Sequence, residues 1–289
     1  WYDSNDLIVT ISKVTSDIVQ TVSPNVREYY LPHAVQMDIF KKVEPSAVKE
    51  FRKELMGNEE DEKFVFFWNN RNARRKMSGS VLWWFKEFLD DVGHDKACLI
   101  MHTDPKDPHG QDLLAIAKEL DLTSGQFRVS SNKLPPEHIS MLYNLADCTL
   151  NISDAEGFGL ATFESLCCET PIIVNMTGGL QEQVTDGERW FGIGIEPSSK
   201  TVIGSQEVPF IYEDRVSKED FVQALHDMYN MSAEDRAELG AAGRAHVVKN
   251  YSMDNFAQRW DEILTDVRTD FGSWNTRQGY KSWEFKEVA

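Results

Sequence analysis

Two carboxylates, Glu156 and Glu164, bracket the run Glu156-Gly-Phe-Gly-Leu-Ala-Thr-Phe-Glu164. Glu156 stands before a helix start and Glu164 inside that helix, so one carboxylate lies at the mouth of a turn and the other deeper along it. Gly157 and Gly159 let the backbone come close to a ligand, with Phe158 and Leu160 between and after them. The free N–H groups of the helix start, at the positive end of its dipole, favour phosphate or carboxylate. Thr177-Gly178-Gly179-Leu-Gln-Glu182 repeats the design, a glycine turn followed by a helix. A third stretch, Asn69-Asn-Arg71-Asn-Ala-Arg74-Arg75-Lys76, sets four cations within six residues of a chain with net charge -17. Arginine offers a planar fork and lysine a point charge to phosphate oxygens, so this loop has the makings of an anion clamp. Each part also has a plainer reading: glutamates that offset a helix dipole, and a solvated basic loop paired with surface carboxylates.

These residues need strands and helices that bring three turns together. Cys148–Ser153 and Pro171–Asn175 read as short buried strands, each running into one of the glycine turns. Phe64–Trp68, five large residues in a row, reads as an inner strand of a parallel sheet. It hands over to the basic loop and then to the apolar helix 80–92. A strand over 96–102, a turn over 103–110 and a helix over 111–120 follow. A strand over 127–131 and a proline-started helix over 135–147 complete the approach to the central stretch. Beyond it, residues 190–197 and 209–212 read as short strands flanking a polar insertion. Ser217, Ser232 and Ser252 are N-caps opening helices to about 229, 250 and 267. Upstream, residues 7–12 are a strand, 13–22 a short helix, 26–31 a strand and 32–40 a loop. A charged helix is expected over 45–63. Alternating strands and helices with short loops make residues 46–250 an α/β doubly wound parallel sheet, the edge of which binds ligands. The tail, 270–289, has aromatic residues and no period.

With 289 residues, 41% of them hydrophobic, the chain can bury a sizeable core in one large or two modest domains. Its acidity argues against nucleic acid as a partner and against docking on anionic lipid. No apolar run approaches the roughly 18 residues of a membrane helix. Cys98, Cys148, Cys167 and Cys168 fit neither a zinc spacing nor a disulfide framework, and read as reduced, buried thiols of a cytoplasmic protein. His102 and His109 have no third ligand at a suitable spacing, so no metal site is expected. Because the chain starts with Trp1, it reads as cut from something longer.

The combination of Glu156-x7-Glu164, the basic loop and Gly178-Gly179 resembles the signature of the retaining glycosyltransferases of family 4, the group 1 enzymes of GT-B fold. The resemblance spans about 250 residues and is strong at 71–76 and 142–182. It implies a Rossmann-like donor domain over 46–250, preceded by the end of an N-terminal acceptor-side domain and linker over 1–45. Residues 251–289 would then be a cross-over helix, 252–267, and a tail. In the linker, Ala34 and Gln36 stand where the family has Gly and Asp, so contacts made there are not carried over. The family's diphosphate-holding Arg and Lys match Arg71 and Lys76, with Arg75 as a rival. Glu156 would hold sugar hydroxyls and Glu164 the ribose diol. Asn132, Lys133 and Leu134 lie in the segment that the family places against the base. The implied reaction moves a sugar from a nucleoside-diphosphate sugar to a hydroxyl acceptor, a glycan, glycolipid or small molecule. It needs no metal or other cofactor, and no Asp-x-Asp occurs that would suggest one. Two other readings stay open: a GT-B-like sugar-nucleotide epimerase, and a non-catalytic nucleotide-sugar binding module if the native chain has no acceptor domain.

Overall fold

A computed structural model describes residues 2–57, 62–273 and 275–276. Six parallel strands make the main sheet: β3 (Phe64–Asn69), β4 (Ala97–His102), β5 (Phe127–Ser130), β6 (Cys148–Asn151), β7 (Ile172–Asn175) and β8 (Gly192–Ile195). Their order is β5-β4-β3-β6-β7-β8. Side chains alternate across a strand, and β3 is apolar on both sides. Phe64, Phe66 and Trp68 enter one core layer, under α3 (Ser78–Val92) and α8 (Lys218–Asn230). Val65 and Phe67 enter the other, under α5 (Pro136–Leu145), α6 (Leu160–Cys167) and α9 (Ala233–Asn250). Helices covering both faces are what an unbroken apolar strand demands. Burying each aromatic ring stabilises the layer by about 1.5–3 kcal/mol.

Ser217, Ser232 and Ser252 cap α8, α9 and α10 (Met253–Phe271), each accepting a hydrogen bond from the backbone N–H three residues on. Asp112 does the same for α4 (Leu113–Glu119). Among the N-terminal residues, β1 (Leu7–Thr10) and β2 (Arg27–Tyr30) pair in parallel around α1 (Lys13–Val22). The Glu182 carboxylate accepts from the Lys13 backbone N–H at 3.1 Å, tying α1 to α7 (Gln181–Val184). Against β2 lies α10, with Arg27 2.6 Å from Asp270 and Tyr29 donating to Asp266. All four cysteines are buried and outside any disulfide. No helix among the described residues is long and apolar enough to cross a membrane.

Two expectations change. The charged helix does not run from 45 to 63: α2 (Pro45–Met56) stops at Gly57, whose φ of 78° is left-handed and turns the chain out of the helix. Residues 58–61 of that expected helix, and the tail from 277 on, lie outside the described residues. The strand expected over 209–212 lies at 211–215, and the polar insertion before it holds a strand of its own. Ser199–Ile203 forms β9, antiparallel to β10 (Ile211–Arg215), so the insertion is a hairpin.

Candidate functional site

From β3 the chain winds outward through β4 to β5, and from β6 it winds the other way through β7 to β8. At such a reversal neighbouring loops part and leave a crevice at the strands' C-terminal ends. Here the parting loops are 70–77 after β3 and 152–159 after β6, with 176–180 after β7 alongside.

The first loop tightens into a single 3-10 turn, Arg74–Lys76, closed by Met77 at a φ of 58°. That turn points Lys76 inward, where its ammonium pairs with the Glu156 carboxylate; both side chains are almost wholly buried. Arg75 supports the pair, with Nη1 2.5 Å from the Ala155 carbonyl and 3.4 Å from Glu156 Oε2. Burial pulls the Lys76 ammonium below its ordinary range, against Glu156. Burial alone would push Glu156 up, but Lys76 and Arg75 outweigh it and hold the carboxyl below its usual range. The result is a salt-bridged pair, largely out of water and open to exchange for a ligand's charge.

Glycine is required where the second and third loops meet. A Cβ on Gly178 would stand 1.7 Å from the Glu156 carbonyl oxygen, and one on Gly179 2.7 Å from Phe158 Cα. Gly178 also has a φ of 49°. The 3-10 turn Gly178–Leu180 therefore lies directly on the Glu156–Phe158 backbone, with the Gly179 N–H 3.3 Å from the Glu156 carbonyl. Gly159, at a φ of 95°, is the residue before α6.

Glu164 sits one helical turn into α6 and takes the end of a relay. Asn69 Nδ2 donates to the Tyr143 hydroxyl at 2.8 Å, and that hydroxyl donates to Glu164 Oε2 at 2.8 Å. Burial pushes the Glu164 carboxyl up to about 7, and Tyr143's hydrogen bond offsets this only partly. Oε1 takes no part in the relay.

The other expected residues occupy varied positions. Arg71 is exposed and forks onto Asp107, at 2.7 Å from Nε and 3.2 Å from Nη2, away from the Lys76–Glu156 pair. Gly157 and Leu160 are exposed at the crevice. Phe158 turns its ring into the core against Phe163 and leaves only its backbone to the site. Asn132 and Lys133 are exposed and Leu134 half-buried, in the loop after β5. The described residues contain no group of three or more His, Cys, Asp or Glu that could hold a metal ion.

Other residues at the crevice were not singled out from sequence. The sequence marks Asn69 only as the first residue of the basic loop and Tyr143 only as part of the helix over 135–147. Asp154 and Glu213 are acidic residues in neighbourhoods that gave no sign of burial, yet they are 0% and 4% exposed. Burial pushes Asp154 up to about 6, against the pull of Arg215.

Residues 107–246 match the family model described as glycosyl transferases, group 1. Just under half of the chain is therefore similar to that family. Among curated proteins, the chain is 32% identical over 111 residues to a GDP-mannose-dependent monoacylated alpha-(1-6)-phosphatidylinositol monomannoside mannosyltransferase of Corynebacterium glutamicum, over 38% of this chain and 23% of the relative. It is 24% identical over 183 residues to an alpha-monoglucosyldiacylglycerol synthase of Streptococcus pneumoniae, over 63% of this chain and 40% of the relative. The match therefore spans less than half of either relative. Among solved structures, sucrose-phosphate synthase from Thermosynechococcus elongatus superposes with a TM-score of 0.72 at 18% identity, over 92% of this chain and 59% of that one. An Anabaena HepE structure in complex with UDP-glucose superposes with a TM-score of 0.70 at 14% identity, over 90% and 64%. The chain thus has the GT-B type of fold.

Proposed function

We propose that this chain holds the sugar donor in a retaining, metal-independent glycosyltransferase that moves a sugar from a nucleoside-diphosphate sugar to a hydroxyl acceptor. The observation that carries the proposal is the buried Lys76–Glu156 pair beneath the Gly178-Gly179 turn at the sheet's switch point. Departure of the sugar builds negative charge on the diphosphate, and preorganised donors at that place lower the barrier. Lys76 supplies one charge by exchanging Glu156 for phosphate. Arg71 supplies another by leaving Asp107, an exposed pair that costs little to break. Freed from Lys76, Glu156 turns to the sugar hydroxyls, with Arg75 beside it. Glu164, with Oε1 outside its relay, accepts from the ribose diol, and the loop 131–134 borders the base. A relative named as GDP-mannose-dependent and a neighbour in complex with UDP-glucose support a nucleotide-sugar donor. The acceptor side falls to an N-terminal domain of the same enzyme, beyond residues 1–45, and the four buried thiols suit a cytoplasmic protein.

Calorimetric titration with uridine, guanosine and adenosine diphosphates tests the reading. One of the three should bind, and Lys76→Ala should weaken it at least tenfold, the loss of about 1.4 kcal/mol. Undiminished binding in that variant would sink the clamp. An epimerase would need an acid/base pair on the sugar, whereas this reading gives Glu156 to the sugar hydroxyls and Glu164 to the ribose.

A further inference from the structure

The hairpin β9–β10 is not needed to complete the sheet, yet its root touches every loop of the crevice. Glu213 and Arg215 lie on one face of β10 and Asp214 on the other, as alternation in a strand requires. On the first face, Glu213 grips Arg74 with both oxygens, at 2.9 Å and 2.5 Å, and takes Arg215 Nη2 at 3.0 Å. Arg215 Nη1 reaches Asp154 at 2.7 Å, two residues before Glu156. On the second face, the Asp214 carboxylate accepts from Thr177 Oγ1 at 2.7 Å, just before Gly178. Bonds to backbone carbonyls run beside these: Asp214 N–H to Asp154, Asp154 N–H to Arg75, and the Asn175 side-chain Nδ2 to Asp214, all between 2.8 and 2.9 Å. Three consecutive residues thus join the turns that carry Lys76, Glu156 and Gly178. Glu213 is 4% exposed and Arg215 26%, so that pair is partly shielded from the screening that weakens surface pairs, while Arg74 keeps 56% of its side chain in solvent.

We infer that Glu213, acting through Arg74 and Arg215, is a positioning residue for the anion clamp, and that the hairpin sets the clamp's geometry. The inference rests on the donor-binding reading above. Arg74 shares its single 3-10 turn with Lys76, so holding the Arg74 guanidinium fixes where the Lys76 ammonium emerges. Neither Glu213 nor Arg74 needs to touch the ligand for this. Their loss should cost the phosphate contacts and spare the nucleoside contacts, which lie across the crevice at Glu164 and 131–134.

The test is a double-mutant cycle on the whole chain, with Arg74→Ala, Glu213→Ala and the pair. Titrations use whichever of the uridine, guanosine and adenosine diphosphates the wild type binds, and the matching nucleoside. Each single variant should weaken the diphosphate by about tenfold and leave the nucleoside unchanged, and the pair should lose no more than the worse single, as expected of two residues acting as one link. Arg74 is more than half exposed, so Arg74→Ala keeps the test open even if Glu213→Ala fails to fold. Wild-type affinity for the diphosphate in a folded Arg74→Ala, or equal losses for diphosphate and nucleoside, would overturn the inference while leaving donor binding intact. A wild type that binds none of the three diphosphates would instead overturn the donor-binding reading, and this one with it.

Discussion

Donor affinity should depend on pH through one side chain, Glu164. Burial pushes its carboxyl up to about 7, although the hydrogen bond donated by Tyr143 pulls the other way. A ribose diol offers two hydroxyl donors, which the ionised carboxylate accepts best. Binding therefore draws on the ionised fraction, which falls to roughly one tenth at pH 6, so affinity for nucleoside diphosphate should drop about tenfold between pH 8 and pH 6. The phosphate's own second ionisation, at about 6, adds a trend of the same sign. Glu164→Gln separates the two, since it keeps the shape and the bond from Tyr143 but cannot ionise. Titrations at pH 6, 7 and 8 on both proteins should give a steeper profile for the wild type, by close to the whole tenfold. Stability supplies a second readout. The folded-state value lies above the unfolded one, so the ionised form is the disfavoured one: the cost is absent below about 4.5 and complete above about 7. Glu164→Gln should melt higher than the wild type at pH 8, and the gap should close towards pH 5. Parallel affinity profiles in the two proteins would refute the ribose role. An equal melting gap at pH 5 and pH 8 would refute the burial argument beneath it.

Tyr143→Phe removes the hydrogen bond that favours the ionised carboxylate, so the pH midpoint of diphosphate binding should move up; an unmoved midpoint would show that the relay has no hold on Glu164. Glu156→Ala frees Lys76 from its partner, so nucleoside diphosphate should bind at least as tightly as in the wild type while turnover with a nucleotide sugar falls; weakened diphosphate binding would contradict the division of roles. Gly178→Ala drives a Cβ into the Glu156 carbonyl at 1.7 Å, at a left-handed φ. Diphosphate affinity and melting temperature should both fall, and a variant normal in both would mean that the two turns need not touch.

How much of this could be read in the amino acids depended on how locally each feature is determined. The strand Phe64–Trp68 announces itself because both of its faces are buried, and the serine caps because donor and acceptor lie three residues apart. The glycine turns were equally visible, since the need for a bare backbone is written in the residue itself. Of the hairpin, a strand was legible over 209–212, but neither its partner β9 nor their pairing was. Phe210 in its loop is 73% exposed and Tyr212 on β10 61%, so β9 and β10 lack the apolar alternation that betrays a half-buried strand. Nor could the charge links be seen, because Arg74 and Glu213 are 139 positions apart and only the closed sheet brings them together. Arg71 shows the same limit from the other side. Its type and spacing suit a phosphate, while the carboxylate that holds it, Asp107, comes from the loop of a different strand.

The buried thiols give this molecule four built-in clocks. Cys148 lies in the core layer under α3 and α8, whereas Cys98, Cys167 and Cys168 lie in the opposite one, and burial pushes the Cys148, Cys167 and Cys168 thiols up, away from the reactive thiolate. A thiol reagent can mark them only when the layer above opens, so the order in which single-cysteine variants are labelled dates the opening of each side of the sheet. Nucleotide that bridges the switch point should slow both clocks together, because the crevice draws its walls from loops that belong to both halves of the fold.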